Sequence, residues 1–262
     1  VVWSGNGNEQ LHIQTSARLP AKTGLRLLTE TKLRNGIGKS VSGLSVTGSV
    51  DTDINILVSP KERNVNDKQL NDWQKIRIHF LENTITLPAK SFPSLVVSSL
   101  QGEIYYSSEN GLSADSLDMS LFGEQLSLSV NTLSQGKSES QLRIDGRGVA
   151  AISDLSSWIK RPEMDFLSGQ LPYQFTLSTP FSFDDKSAPV SEDASISLTA
   201  NSTLQGLAID LPAPFNKDRL SQRNMTLEST FSSLTTKHSV KVDGGIASKL
   251  LMTDKSVSGF LS

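Results

Sequence analysis

The stretch LSVTGSVDTDINILV, Leu44 to Val58, carries Leu44, Val46, Val50, Ile54, Ile56 and Val58 at alternate positions. Between them stand Ser45, Thr47, Ser49, Asp51, Asp53, Asn55 and Leu57, of which the last alone is apolar. Successive side chains of a β-strand point to opposite faces, so this period of two predicts one greasy and one wet face. That is the pattern of an antiparallel sheet solvated on one side.

The alternation recurs on both sides of this stretch. Upstream, Leu25, Leu27 and Leu33 share a face with Thr29 and Thr31 and read as a strand. Downstream, Ile76, Ile78 and Phe80 form a short stripe; Glu82-Asn83 is expected to turn the chain before Ile85 and Leu87 resume. Leu117, Met119 and Leu121 are separated from Leu126, Leu128 and Val130 by Phe122-Gly123-Glu124. Later stripes are Leu142 and Ile144; Leu171, Tyr173, Phe175 and Leu177; and Ile196 and Leu198. Leu207, Ile209 and Leu211 follow, then Met225, Leu227 and Phe231, then Val240, Val242 and Ile246. Turn residues punctuate the stripes at Asn110-Gly111, Gln135-Gly136, Asp184-Asp185 and Asp243-Gly244. Pro212 and Pro214 cannot donate to a ladder, so strand pairing is expected to stop at Pro212. Asn216 to Arg219 then reads as a solvated continuation.

Helix is scarce. One is expected from Ser153, with Ser153 or Asp154 as N-cap and Leu155, Trp158 and Ile159 at helical spacing. Pro162 ends it or opens a further turn through Met164, Phe166 and Leu167, and Gly169 releases the chain into the next strand. A weaker candidate covers Asn66 to Trp73, within a polar stretch that reads equally as a loop. The interlude at 153–168 is the best internal punctuation. It divides residues 1–152 from 169–262 within one elongated section, 1–262.

Composition narrows the function classes. With 25 basic and 27 acidic residues among 262, the net charge of −2 gives no reason to expect nucleic acid. A hydrophobic share of 36% suits sheets with a solvated face better than a thick two-sided core. With no cysteine, disulfides and thiolate chemistry are excluded and a zinc cluster is disfavoured. No apolar run approaches the roughly 18 to 20 residues that cross a bilayer. The chain opens at Val1 without a signal peptide and reads as a piece of something longer.

Candidate chemistry is thin. Gly38-Lys39-Ser40 matches the end of a phosphate-binding loop, but Leu33 stands where that motif needs glycine, so a turn is the better reading and no nucleotide is expected. His12, His79 and His238 stand in strand patterns without companion ligands and read as solvated-face residues. Asp115, Asp118, Asp184 and Asp185 read as structural, and no Gly-x-Ser-x-Gly elbow is present. Asn201 and Asn224 head glycosylation-type triplets of the kind common in Ser/Thr-rich chains. Tyr173 and Phe175 share a face and either pack on the preceding helix or line an apolar groove. Neither a metal nor another cofactor is expected.

About 16 strands at about 4.8 Å would make a sheet about 75 Å long. An apolar face of that size cannot stay exposed. The sheet must fold on itself, pack on a second layer, or curl into a trough filled by something apolar, and composition does not choose among these.

A resemblance adds to this. GEIYYSSENGLSADSLDMSLFGEQLSLSVNT (Gly102 to Thr132), QLRIDGRGVAAISDLSSWI (Gln141 to Ile159), FLSGQLPYQFTL (Phe166 to Leu177) and STLQGLAIDLPAPFNK (Ser202 to Lys217) occur in the order seen in the YhdP family of AsmA-like proteins of Gram-negative bacteria. The chain resembles that family best over residues 95–220. The resemblance implies a mainly β fold: a long antiparallel twisted sheet curled into an open groove, with one or two short helices. It implies a periplasmic section of a long protein anchored in the inner membrane, a non-enzymatic bridge that moves phospholipid between inner and outer membranes. Taking parity with the resemblance, the expected lining is Leu126, Leu128, Val130, Leu142, Ile144, Tyr173, Phe175, Leu177, Ile196, Leu198, Leu207 and Ile209. The expected partners are phospholipid and, through the parent chain, the two membranes, with this section itself a monomer. A scaffolding β-sandwich with closed apolar faces is the alternative, and a carbohydrate-active sandwich a distant third.

Overall fold

The structure is a computed structural model that describes residues 2–4, 10–30, 43–58, 73–88, 93–134, 140–181, 195–213, 215–232, 235–244, 246–253 and 257–261. In chain order, β1 (Val2–Ser4) and β2 (Gln10–Pro20) lead into helix α1 (Ala21–Glu30). Strands β3 (Ser45–Thr47), β4 (Ser49–Val58), β5 (Trp73–Leu87), β6 (Leu95–Ser107), β7 (Gly111–Leu121), β8 (Glu124–Ser134) and β9 (Ser140–Ala151) follow. Helix α2 (Ile152–Ile159) and a 3-10 turn (Pro162–Phe166) precede β10 (Leu167–Phe181). Strands β11 (Ile196–Ser202), β12 (Leu207–Ile209), β13 (Met225–Phe231), β14 (Thr235–Val242), β15 (Ile246–Thr253) and β16 (Val257–Leu261) complete the described chain.

These strands build one antiparallel sheet ordered β1-β2-β4-β5-β6-β7-β8-β9-β10-β11-β13-β14-β15-β16, with β3 beside β5 and β12 beside β10. The order follows the chain because short connections favour pairing with the previous strand. β1 and β16 each have a single partner strand, so the sheet stays open rather than closing into a barrel.

Direct cross-strand partners share a face, so register decides sidedness. One row runs Leu19, Val50, Phe80, Gly102, Leu117, Leu128, Gly146, Phe175, Ala200, Leu227, Val240, Ser248 through successive partners from β2 to β15. No member carries a charge. The next row on the other face runs Ser127, Arg147, Gln174, Asn201, Thr226, Lys241 from β8 to β14. The alternation in the sequence is thereby converted into an apolar and a polar face of a single sheet.

Several local expectations are corrected. Leu25 and Leu27 lie in α1 rather than in a strand; Leu33 and Thr31 fall outside the described residues. Ala21 and Leu25, one helical turn apart, pack against Leu19, Val46 and Val50, and Ala21 N donates to Gly48 O at 2.9 Å. Glu82-Asn83 does not turn the chain: β5 continues through a bulge, with Glu82 at φ 64°. Asn83 is fully buried there; its Oδ1 accepts from Leu81 N and its Nδ2 donates to Thr47 O. Helix α2 starts at Ile152 with Ala151 as N-cap and no side-chain cap, not at Ser153. Gly169 lies inside β10 at φ 99°, where a Cβ would collide with Gly206 O. Of the Asn66–Trp73 helix candidate, Trp73 opens strand β5 and the rest lies outside the described residues, as do Gly38-Lys39-Ser40, Gln135-Gly136, Asp184-Asp185 and Pro214.

Other expectations are met. Phe122-Gly123 makes a two-residue hairpin between β7 and β8, both residues at positive φ (53° and 79°), as the primed turns of twisted hairpins require. Pro162 opens the 3-10 turn. β12 ends at Ile209, before Pro212. The chain then doubles back, with Phe215 N donating to Pro212 O, and Ile209 and Lys217 exchange both backbone hydrogen bonds.

Candidate functional site

The apolar face is the feature with the greatest extent. In its central part Leu100, Ala114, Leu117, Met119, Leu126 and Val130 are buried, with Ile104, Leu128, Ile144, Tyr173 and Phe175 packed against them. Among the described residues no second sheet or long helix covers this face, and the side chains of β5–β10 on it pack against one another. Two glycines of β9 assist. Tyr173 lies across Gly148 and Phe175 across Gly146, where a Cβ would run into the Tyr173 hydroxyl, the Phe175 ring and Leu128 Cδ2. The aromatics therefore lie flat over β9 rather than on the preceding helix.

Burial changes along the sheet. Leu126 is 4% exposed, whereas Ile196, Phe231 and Leu250 are 40%, 37% and 38% exposed. The face is closed around β6–β9 and open towards β11–β15.

One rim is plugged. α2, the 3-10 turn and β12 bring Ile152, Leu204 and Leu207 together with Leu155, Met164, Leu167, Leu171, Ile209, Met225 and Val242. Trp158 packs on Phe122 with ring centroids 5.6 Å apart, and its Nε1 donates to Pro93 O at 3.0 Å. α2 thus crosses the ends of β6 to β9, and α1 covers the same ends of β2 and β3.

The polar face is laced by exposed ion pairs. Arg18 Nε meets Asp51 at 2.7 Å, Arg77 pairs with Asp53, and Arg143 Nε meets Asp145 at 2.8 Å. Hydrogen bonding from Arg143 holds the Asp145 carboxyl below its ordinary value, with the Thr176 hydroxyl adding to the effect. Asp118 accepts from the Ser127 hydroxyl. An open cleft of about 710 Å³ on this face is lined by Gln125, Arg147, Gln174, Asn201 and Asn224, among others.

Of the expected lining residues, Leu126, Leu128, Val130, Leu142, Ile144, Tyr173, Phe175, Leu177, Ile196 and Leu198 fall on the one apolar face by register. Leu207 and Ile209 sit on β12, beside the start of β10, in the rim cluster. His12 and His79 lie on the polar face, near Asn55 and Glu103 respectively. His238 does not: it pairs with Ser229 on the apolar face, and Ser229 Oγ lies 2.9 Å from its Nδ1. Its even parity with Val240 and Val242 was the available signal.

Lys217 is also misplaced by sequence reasoning. It is buried, and its Nζ donates to Leu207 O and Asp218 O at 2.9 Å. Desolvation lowers its pKa, and nearby Arg223 adds to that. No pattern marks this burial in advance, because it depends on the doubled-back loop.

Among the described residues no three of His, Asp and Glu gather as a metal-binding set, and no helix is long and apolar enough to cross a membrane. No curated protein and no solved structure matches the chain. A family model does: that of the YhdP protein, over residues 5–261. A long open sheet with one continuous apolar face is the architecture its motifs implied, and with nearly its whole length matched the chain belongs to the YhdP family.

Proposed function

We propose that this chain is a non-enzymatic section of a periplasm-spanning bridge that carries phospholipid between inner and outer membranes. Membership in the YhdP family supports lipid transport in the cell envelope at the family level. The observation that carries the reading is the uncharged row that crosses the sheet strand after strand, backed by a polar face. Each CH₂ kept from water is worth about 0.8 kcal/mol. A lining of many similar aliphatic side chains offers acyl chains many near-equivalent positions, so movement along it meets no deep trap, while headgroups stay in water at the open side. The section acts as a monomer and needs neither metal nor nucleotide for this passive role.

Photocrosslinking side chains at 126, 128 and 130 should trap lipid, and those at 127 and 129 should not. Phospholipid should also be recovered by mass spectrometry from the purified chain. Equal labelling at both parities, or a lipid-free chain, would overturn the proposal. The tight burial of Leu100, Ala114 and Leu126 supports a second reading for the central strands, a closed packed core that only scaffolds. In that case crosslinks would be confined to 196, 231 and 250.

A further inference from the structure

Strand β9 has a gap in its apolar side chains. Its residues on the greasy face are Leu142, Ile144, Gly146, Gly148 and Ala150, so two successive central positions carry no side chain. Rings from β10 fill the gap. A Cβ at Gly146 would run into the Phe175 ring and Leu128 Cδ2, and one at Gly148 into the Tyr173 hydroxyl and Gln125 O. Leu128 and Gln125 belong to β8, so both rings reach across β9 towards the next strand but one. They stack on each other with centroids 6.3 Å apart and 26° between the planes. A strand side chain ordinarily stands roughly perpendicular to its sheet. These two lie down because the glycines leave room for them.

The pair stands where the face changes character. On the β8 side Leu126 and Val130 are buried, and on the β11 side Ile196 is exposed. Phe175 has Gly146 as its partner on one side and Ala200 on the other, so a small side chain flanks the ring in both directions. Rotation about χ1 between the two rotamers common in strands lifts a ring off its glycine. Among the described residues no hydrogen bond pins the Tyr173 hydroxyl against that motion. With the rings down, the strip of β9 backbone at Gly146 and Gly148 is covered. With them raised, it is a side-chain-free passage between the open and the closed part of the face.

We infer that Tyr173 and Phe175 are a plug. In the empty chain they occupy, over Gly146 and Gly148, the place an acyl chain takes as it crosses β9, and they lift off the glycines to let it pass. This rests on the reading of the face as lipid-carrying and deepens it by naming the residues that set the slow step along it.

The test places a photocrosslinking side chain at 198, on the open side of the rings, or at 130, on the closed side and in register with neither ring. Each chain is incubated with dioleoyl phosphatidylcholine vesicles, and the initial rate of lipid labelling is read by mass spectrometry. Position 130 should label about 10-fold more slowly than 198, the upper end of what one aromatic pairing is worth. Phe175→Ala should bring the two rates to within about 2-fold, because it removes that pairing. Gly146→Ala, whose methyl takes the ring's place, should move the ratio the same way. Dividing by the rate at 198 removes any loss of folded chain, which a purely structural role would cause without changing the ratio. Equal rates in the unaltered chain overturn the plug and leave lipid carriage standing. A ratio that stays low in both variants overturns it too, and assigns the rings to packing alone. No labelling at either position overturns lipid carriage and the plug together. Should Phe175→Ala fail to fold, Phe175→Leu, which keeps apolar bulk but cannot stack on Tyr173, reads the same ratio and decides.

Discussion

Asp145 joins neighbouring strands: it accepts from Arg143 two residues back on β9 and from the Thr176 hydroxyl of its partner on β10. Its folded pKa is lowered, so its contribution is complete above the ordinary Asp value of about 3.9 and drains away as pH falls through the lowered folded value. Solvent screens the partly exposed pair, which limits the effect to about 0.5 kcal/mol. Asp145→Asn should therefore leave urea midpoints at pH 3 nearly unchanged and lower them at pH 7. A larger loss at pH 3 than at pH 7 would contradict the assignment. Residue roles of this kind were poorly legible beforehand. Lys217 sits in a polar run and reads as wet, yet the chain folds back and buries it among backbone carbonyls. His238 reads as solvated beside Lys237, Ser239 and Lys241, yet parity places it with Val240 on the greasy side. In both cases local polarity was a weaker guide than position in the ladder.

At the scale of elements, strands were legible and caps were not. Leu25, Leu27 and Thr29 satisfy a period of two, while Ala21 and Leu25 satisfy a helical turn. The helix forms because Ala21 N finds Gly48 O and the apolar residues find Val46 and Val50, contacts between residues far apart in sequence. The Glu82-Asn83 pair has turn chemistry, but Asn83 uses its amide to bridge Leu81 and Thr47 and holds a bulge instead. α2 is held across the strand ends by Trp158. Trp158→Phe keeps a ring beside Phe122 but deletes the donor to Pro93 O, which should cost about 1 kcal/mol in urea unfolding. Faster amide exchange should accompany it in residues 93–95 and 152–159. Unchanged exchange at the start of β6 would show that α2 is not latched there.

For the molecule as a whole, sidedness carries the stability. Leu128→Lys puts a charge among Leu117, Gly146 and Phe175 and should cost about 3 kcal/mol or more. Ser127→Lys, one residue away on the polar face, should stay within about 0.5 kcal/mol. Chemical denaturation of the two variants measures the difference, and similar losses would contradict a one-sided sheet. The period of two, the turn residues and the scarcity of helix determine by themselves that the chain makes many antiparallel strands with one apolar face, because side-chain direction in a strand alternates whatever the partner. Only the tertiary structure decided that these strands form one open sheet in chain order. It also decided that the apolar face closes at β6–β9 and opens at β11–β15, and that α1, α2 and β12 plug one rim. Those features depend on register and on contacts between residues far apart in the chain, which no local pattern encodes.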